Sequence, residues 1–170
     1  MPTKPSTVPD GYTTVTPWII VRGAAKFLDY LKDVLDAQEI ARMAGPDGSI
    51  VHAETRIGDA IVMVFDAGKD WPETHQFLRL YVEDADAVYK RALDHGSRSI
   101  TEVTELGFGD RVGRFADPWD NVWWVQERVE ELDEAEAGGR MGDPKYATAM
   151  SYVMDTLNDE MRRRAAEPTS

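Results

Sequence analysis

The sequence predicts an α+β fold of two β-α-β-β-β units in tandem, and three observations carry that prediction. Short apolar or alternating runs bounded by Gly, Pro and Asp recur along the chain in the manner of strands. Two stretches, Ala24 to Leu35 and the segment after Asp84, instead repeat apolar residues at helical spacing. A constant offset of 61 residues then lays one half on the other without a gap, placing Val21 over Val82, Ala24 over Ala85, Phe27 over Val88, Asp59 over Asp120 and Ile61 over Val122. Two such units side by side would make an open, curved mixed sheet with helices outside and a concave face enclosing a pocket.

Residues 1–14 carry three prolines and little apolar content, which predicts a flexible arm. Val15 to Val21 reads as a buried strand, and the helix follows with apolar residues at 24, 27, 28, 31, 34 and 35. Strands are predicted at Glu39 to Met43, Val51 to Ile57 and Ala60 to Phe65, the last two joined by a tight Gly58-Asp59 turn. After a polar loop the pattern repeats. Phe77 to Val82 is a strand, Asp84 caps a helix ending at Gly96, and strands follow near Ile100 to Thr104, Arg111 to Ala116 and Val122 to Arg128. The repeat units are thus 15–66 and 76–128, within one domain spanning 15–130.

Beyond Glu130, residues 131–142 read as an acidic, Gly-containing linker with Gly138-Gly139 as a hinge. Asp143-Pro144 then starts an amphipathic helix over 143–165, with Tyr146, Met150, Val153, Met154, Leu157 and Met161 forming an apolar stripe and Arg162 to Arg164 at its C-terminal end. A stripe of that kind needs a cover, and a homodimer contact is the expectation, with packing on its own domain or over the pocket as the alternatives.

Composition excludes several functions. The 170 residues include 31 acids against 19 Lys and Arg, a formal net charge of -12, which repels phosphate backbones and anionic headgroups; neither nucleic acid nor membrane is an expected partner. With no cysteine there is no disulfide, thiolate metal site or thiol nucleophile. No apolar run is long enough for a span and the N-terminus has no apolar targeting core, so a cytoplasmic location is expected.

The runs VTPWIIVRGAAKFLDYLKDVLDAQEIARMAGPDGSIVHAETRIGDAIVMV, LRLYVEDADAVYKRALDHG and GDRVGRFADPWDNVWWV resemble the vicinal oxygen chelate superfamily, in its glyoxalase/bleomycin-resistance-like branch. The resemblance implies paired units around a concave site and covers metal-dependent isomerases, dioxygenases and metal-free drug-binding proteins alike. Its metal positions, on the first and fourth strand of each unit, correspond to Thr16, Met63, Phe77 and Trp124. None offers a carboxylate or imidazole, so no metal and no other cofactor is expected.

Pairing across Gly58-Asp59 sets Arg56 opposite Ile61, Glu54 opposite Met63 and His52 opposite Phe65. His52, Glu54 and Arg56 would then share the face of Met63, which the resemblance makes the concave one. The same count around Trp119-Asp120 sets Phe115 opposite Trp124, with Arg111 on their face, and strand alternation adds Trp18 beside Thr16, and His75 and Arg79 on either side of Phe77. The expected pocket has aromatic walls of Trp18, Phe77, Phe115 and Trp124, with Met63, and a polar strip of His52, Glu54 and Arg56 with Arg79 and Arg111.

This composition suits a metal-independent small-molecule-binding protein, whose acidic charge favours a cationic ligand. The alternative is a glyoxalase-like isomerase or lyase that uses His52 and Glu54 as an acid/base pair, or joins them with His75 in a displaced metal site. The neighbouring Trp119 and Trp123 read as turn and core, Asp117-Pro118 as a strand-ending turn, and Gly107 to Arg111 as a loop without nucleotide-binding spacing.

Overall fold

The computed structural model describes residues 6–166. The chain divides into two compact units, one up to His75 and one from Gln76 onward, each built on its own four-stranded mixed sheet.

The first unit runs β1 (Trp18–Val21), α1 (Ala24–Leu35), β2 (Gln38–Ala44), β3 (Ile50–Ile57) and β4 (Ala60–Asp66), with sheet order β1-β4-β3-β2. The β1 and β4 pair is parallel and the others antiparallel. The alternation in β3 and β4 turns Ala53 and Val64 toward α1, where they meet Ile19, Phe27, Leu31 and Val34, all fully buried. Each large side chain of this set contributes on the order of 1.5–3 kcal/mol by leaving water. The predicted first strand is shorter than its apolar run. Thr16 lies before β1 and its hydroxyl donates to the Thr13 carbonyl at 3.3 Å, because the Val15 and Thr16 backbone is held in a local turn ahead of Pro17.

The second unit repeats the order as β5 (Phe77–Tyr81), α2 (Ala85–Asp94), β6 (Arg98–Glu105), β7 (Asp110–Ala116) and β8 (Val122–Arg128), with sheet order β5-β8-β7-β6. The 61-residue offset is visible in the register itself: Trp18 pairs with Met63 across β1 and β4, and Arg79 with Trp124 across β5 and β8. It extends to helix capping. The Asp66 carboxylate accepts from Gly23 N at 2.8 Å and Ala24 N at 2.9 Å, and Glu127 accepts from Ala85 N at 3.0 Å. In each unit a carboxylate at the end of the fourth strand thus neutralises orphan N–H groups at the start of the helix.

One strand departs from the offset. The β3–β4 hairpin closes tightly, with Ile57 paired to Ala60, whereas β7 and β8 are joined by residues 117–121 between the pair Ala116 and Val122. Asp117 organises this loop: its carboxylate accepts from the backbone N–H groups of Trp119 and Asn121, from Asn121 Nδ2 and from Trp123 Nε1 at 2.8 Å. Asp120 inside it takes a left-handed φ of 62°. The loop holds one residue more than a gapless repeat allows, so β7 matches β3 at an offset of 60 while β8 matches β4 at 61. A one-residue slip moves every side chain of a strand to the other face.

The C-terminal region also differs from its expected form. Within the expected linker, Glu134–Met141 form α3, started by a capping box in which Asp133 accepts from Glu136 N and the Glu136 side chain accepts from Asp133 N. Then α4 (Pro144–Ala166) packs on the second sheet of the same chain. Val153 is buried with Leu106 and Val112, with Ala149, Met150 and Trp124 around them. Farther along, Glu160 is buried and accepts from Arg98 Nη1 and Nη2 at 2.9 and 3.0 Å, from Arg163 Nη2 at 2.9 Å and from Arg164 Nε at 2.7 Å. The apolar stripe is therefore covered in part within its own unit, while Met154 stays 48% exposed.

Candidate functional site

In the first unit, the side of the sheet away from α1 carries Trp18, His52, Glu54, Arg56, Met63 and Phe65, placed there by the alternation of β1, β3 and β4. The expected pairs Glu54 with Met63 and Arg56 with Ile61 are those of the structure. Trp18 is 57% exposed, whereas its neighbour Ile19 on the helix side is fully buried. The Trp18 and Phe65 rings lie 5.1 Å apart, and His52 meets Phe65 edge-on at 5.4 Å. His52 Nε2 and Glu54 Oε1 are 3.0 Å apart.

The arm joins this face at residues 9–12. Tyr12 N donates to Pro9 O, closing a turn that brings Gly11 O within reach of Arg56 Nη1 and the Tyr12 phenol to Glu54. Gly11 is required there: its φ is 82°, and a Cβ would stand 2.9 Å from Arg56 Nη2. The hydrogen bonds from Tyr12 and then from His52 hold the Glu54 carboxyl below its ordinary value, and the same contact with Glu54 raises the Tyr12 phenol. Tyr12 and Phe65 belong to this constellation; Phe65 was set opposite His52 by the strand count but not included among the pocket walls, and Tyr12 sits in an arm whose composition carries no signal of docking.

In the second unit, the one-residue slip corrects the expected site. Phe115 pairs with Trp123, not Trp124, and both are fully buried; Tyr89 of α2 meets Phe115 edge-on at 6.4 Å. Arg111 lies on that same helix-covered side, with Nη2 2.6 Å from Asp86 and Nη1 3.6 Å from Glu127. Phe115 and Arg111 are thus packing and charge-balancing residues around the start of α2. The partner of Trp124 is Arg114.

The opposite face presents Phe77, Arg79 and Tyr81 from β5, Trp124 and Gln126 from β8, and Arg114 from β7. Phe77 and Tyr81 are 55% and 64% exposed, while α4 roofs the β6 and β7 side. The Arg79 and Arg114 guanidinium carbons stand 4.1 and 3.8 Å from the centre of the Trp124 ring. Arg114 is 1% exposed; Nη1 donates to Val153 O at 2.7 Å and to Thr101 Oγ1 at 3.1 Å. Its Nε and Nη2, the Trp124 Nε1 and the Gln126 Oε1 are buried without a hydrogen-bond partner. Burial, and then the like charge of Arg79, lower the Arg114 guanidinium to about 10.

The residues do not fit a divalent metal. Met63 and Trp124 hold equivalent positions in the two units, and their first-strand neighbours Trp18 and Arg79 supply an indole and a cation. Among the described residues no group of three or more His, Asp or Glu side chains is placed to hold an ion. His75 lies 3.9 Å from Glu73 and forms no three-ligand cluster with His52 and Glu54. A cleft between α1 and β2, lined by Leu28, Asp29, Lys32, Gln38 and Glu39, opens on the helix side of the first sheet, away from these side chains. Among the described residues no helix is long and apolar enough to cross a membrane.

Comparison with known proteins agrees with this architecture. A protein of Mycobacterium bovis, named only as uncharacterized, is 34% identical over 136 residues, covering 72% of this chain and 90% of its own. Among solved structures, TioX from Micromonospora sp. ML1 aligns with a TM-score of 0.60 at 20% identity over 69% of this chain and 99% of its own. FosX from Listeria monocytogenes, a fosfomycin resistance protein in complex with Mn(II) and sulfate, aligns with a TM-score of 0.53 at 14% identity over 76% and 97%. These two likenesses concern the fold. The family model of the Glyoxalase/Bleomycin resistance protein/Dioxygenase superfamily matches residues 11–125. The repeated β-α-β-β-β units and that match together establish that this chain belongs to the Glyoxalase/Bleomycin resistance protein/Dioxygenase superfamily.

Proposed function

We propose that this chain is a small-molecule-binding protein that works without a metal, and that each unit offers a ligand face of its own: Trp18 and Met63 on the first sheet, Phe77 and Trp124 on the second. The observation that carries the reading is the chemistry at the equivalent positions Met63 and Trp124, a thioether and an indole with an indole and a guanidinium beside them. Such groups grip apolar or aromatic bodies and give a hard cation nothing. Arg56 supplies a polar edge to the first of these faces, and exposed Met154 of α4 and, separately, Ile40 and Met43 of β2 offer apolar surface for a second copy in a homodimer. Native mass spectrometry of protein purified without chelator reads all three points. The expected result is a dimer with far less than one divalent ion per chain, and one stoichiometric zinc, nickel or iron overturns the metal-free reading.

The enzymatic alternative, an isomerase or lyase, has one observation in its favour: the hydrogen-bonded line from Tyr12 through Glu54 to His52. The direction of the Glu54 shift argues against it. A carboxyl held below its ordinary value is a weak base and is not protonated near neutrality, whereas acid/base catalysis needs a group poised near the working pH. His52→Ala and Glu54→Gln are therefore expected to weaken binding of a neutral aromatic probe such as 1-naphthamide several-fold, with stability changed by no more than about 1 kcal/mol. Calorimetric titration checks this, and unchanged affinity in both variants removes the strip from the site.

A further inference from the structure

Among the described residues, Arg79 and Arg114 make no ion pair with an acid. Arg42, Arg98, Arg111, Arg140 and Arg164 each lie against carboxylates, as expected where acids outnumber bases 31 to 19. Arg79 and Arg114 instead face the same indole from β5 and β7, the two strands that flank β8, and their like charges oppose one another. Arg114 carries the further cost of burial with two N–H groups unmet, and the unmet Trp124 Nε1–H lies on its register partner. Three unpartnered donors and an excess of positive charge on one sheet face define the complement: an oxyanion, which accepts from a guanidinium fork in two parallel bonds. The surroundings define what carries it. Phe77 and Tyr81 flank Arg79 on β5 with more than half of their surfaces exposed, a platform for an aromatic body.

We infer that the second sheet binds an aromatic carboxylate on its face away from α2, at the exposed β5 side beside α4, its charged end received by Arg79 and Arg114 at the Trp124 indole and its ring laid against Phe77 and Tyr81. The inference rests on the small-molecule reading above and names the ligand class for it. It reverses the expectation from net charge, because the field at this face is set by two nearby unpaired guanidiniums, whereas distant surface carboxylates are screened within roughly 8–10 Å. Neutralising the pair also removes the mutual repulsion that the empty-handed arginines impose on each other.

Calorimetric titration of the full chain with 1-naphthoate and with its neutral isostere 1-naphthamide separates this inference from the reading beneath it. The carboxylate is expected to bind at least tenfold more tightly than the amide. Arg79→Gln, at an exposed position, is expected to remove at least tenfold of naphthoate affinity and to cost naphthamide far less, so that the preference for the acid disappears. Arg114→Met tests the buried partner with the same pattern; should it fail to fold, Arg79→Gln and a naphthoate-specific rise in Tm that Arg79→Gln abolishes still decide. Equal affinity for acid and amide, or naphthoate binding that ignores Arg79→Gln, overturns the anion site while leaving small-molecule binding in place. Failure of both probes to bind overturns the two together.

Discussion

Replacing Glu160 with glutamine is expected to lower the unfolding free energy by about 2–4 kcal/mol, the scale of breaking a buried ion pair from one side, reduced because its partners keep some solvent. The Glu160 side chain is 3% exposed and is the buried one of two acids, with Asp120, that Arg98, Arg163 and Arg164 share. Glutamine keeps one acceptor oxygen and removes the charge, which leaves three guanidiniums facing one another with Asp120 as the remaining counter-ion. The same group links stability to acid. Burial alone would raise its carboxyl, but hydrogen bonds from Arg163, Arg98 and Arg164 overcome that and hold it at about 2, down from 4.5. A depressed folded value means the contribution is complete above the unfolded value and disappears as pH falls through the folded one. The wild-type chain should therefore lose about 2–3 kcal/mol between pH 5 and 2 that Glu160→Gln does not lose. Urea unfolding at several pH values measures both effects, and coincident pH profiles for the two proteins would sink the argument.

Asp117→Ala is expected to cost about 3–5 kcal/mol, because one change orphans several buried donors at once. Four N–H groups from Trp119, Asn121 and Trp123 converge on this carboxylate, which is 4% exposed, and burial pushes its carboxyl up while those hydrogen bonds pull it back. Trp123, held by its indole N–H, is the largest fully buried side chain, so its anchor failing loosens the centre of the second unit. Asp117→Asn keeps one acceptor oxygen and should lose less than half as much. Denaturant midpoints for the pair test this, and a loss under about 1 kcal/mol for the alanine variant would show that water replaces the carboxylate.

Where the sequence carried local chemistry, it was readable. Gly58-Asp59 between alternating strands fixed the pairing of Glu54 with Met63, because a two-residue hairpin has one register. Phe27, Leu31 and Val34 announced the buried side of α1 by spacing alone. The second unit misled because Trp119-Asp120 was counted as an equivalent tight turn, when the acceptor capacity of Asp117 favours a longer loop. Arg114 was consequently overlooked, its place given to Phe115. The capping box of α3 was present in plain form as Asp133 and Glu136, masked by Gly138-Gly139, whose low helix propensity the cap and the following turns overcome. The destination of α4 lay beyond local reasoning, since its hydrogen bonds to the sheet join residues from 39 to 62 apart, as in Arg114 with Val153 and Arg98 with Glu160.

The extra residue between β7 and β8 also sets the length this loop must keep. After the insertion, the slot that holds Glu54 in one half holds a buried Arg114 in the other, and the slot of solvent-facing Arg56 holds Ala116 at 1% exposure. Deleting a residue from 117–121 would now drive Arg114 into the layer beneath α2 and turn Phe115 out to water. Such a deletion would bury a guanidinium under α2 and expose an apolar ring in one step, so the side chains of β7 fix the length of this loop.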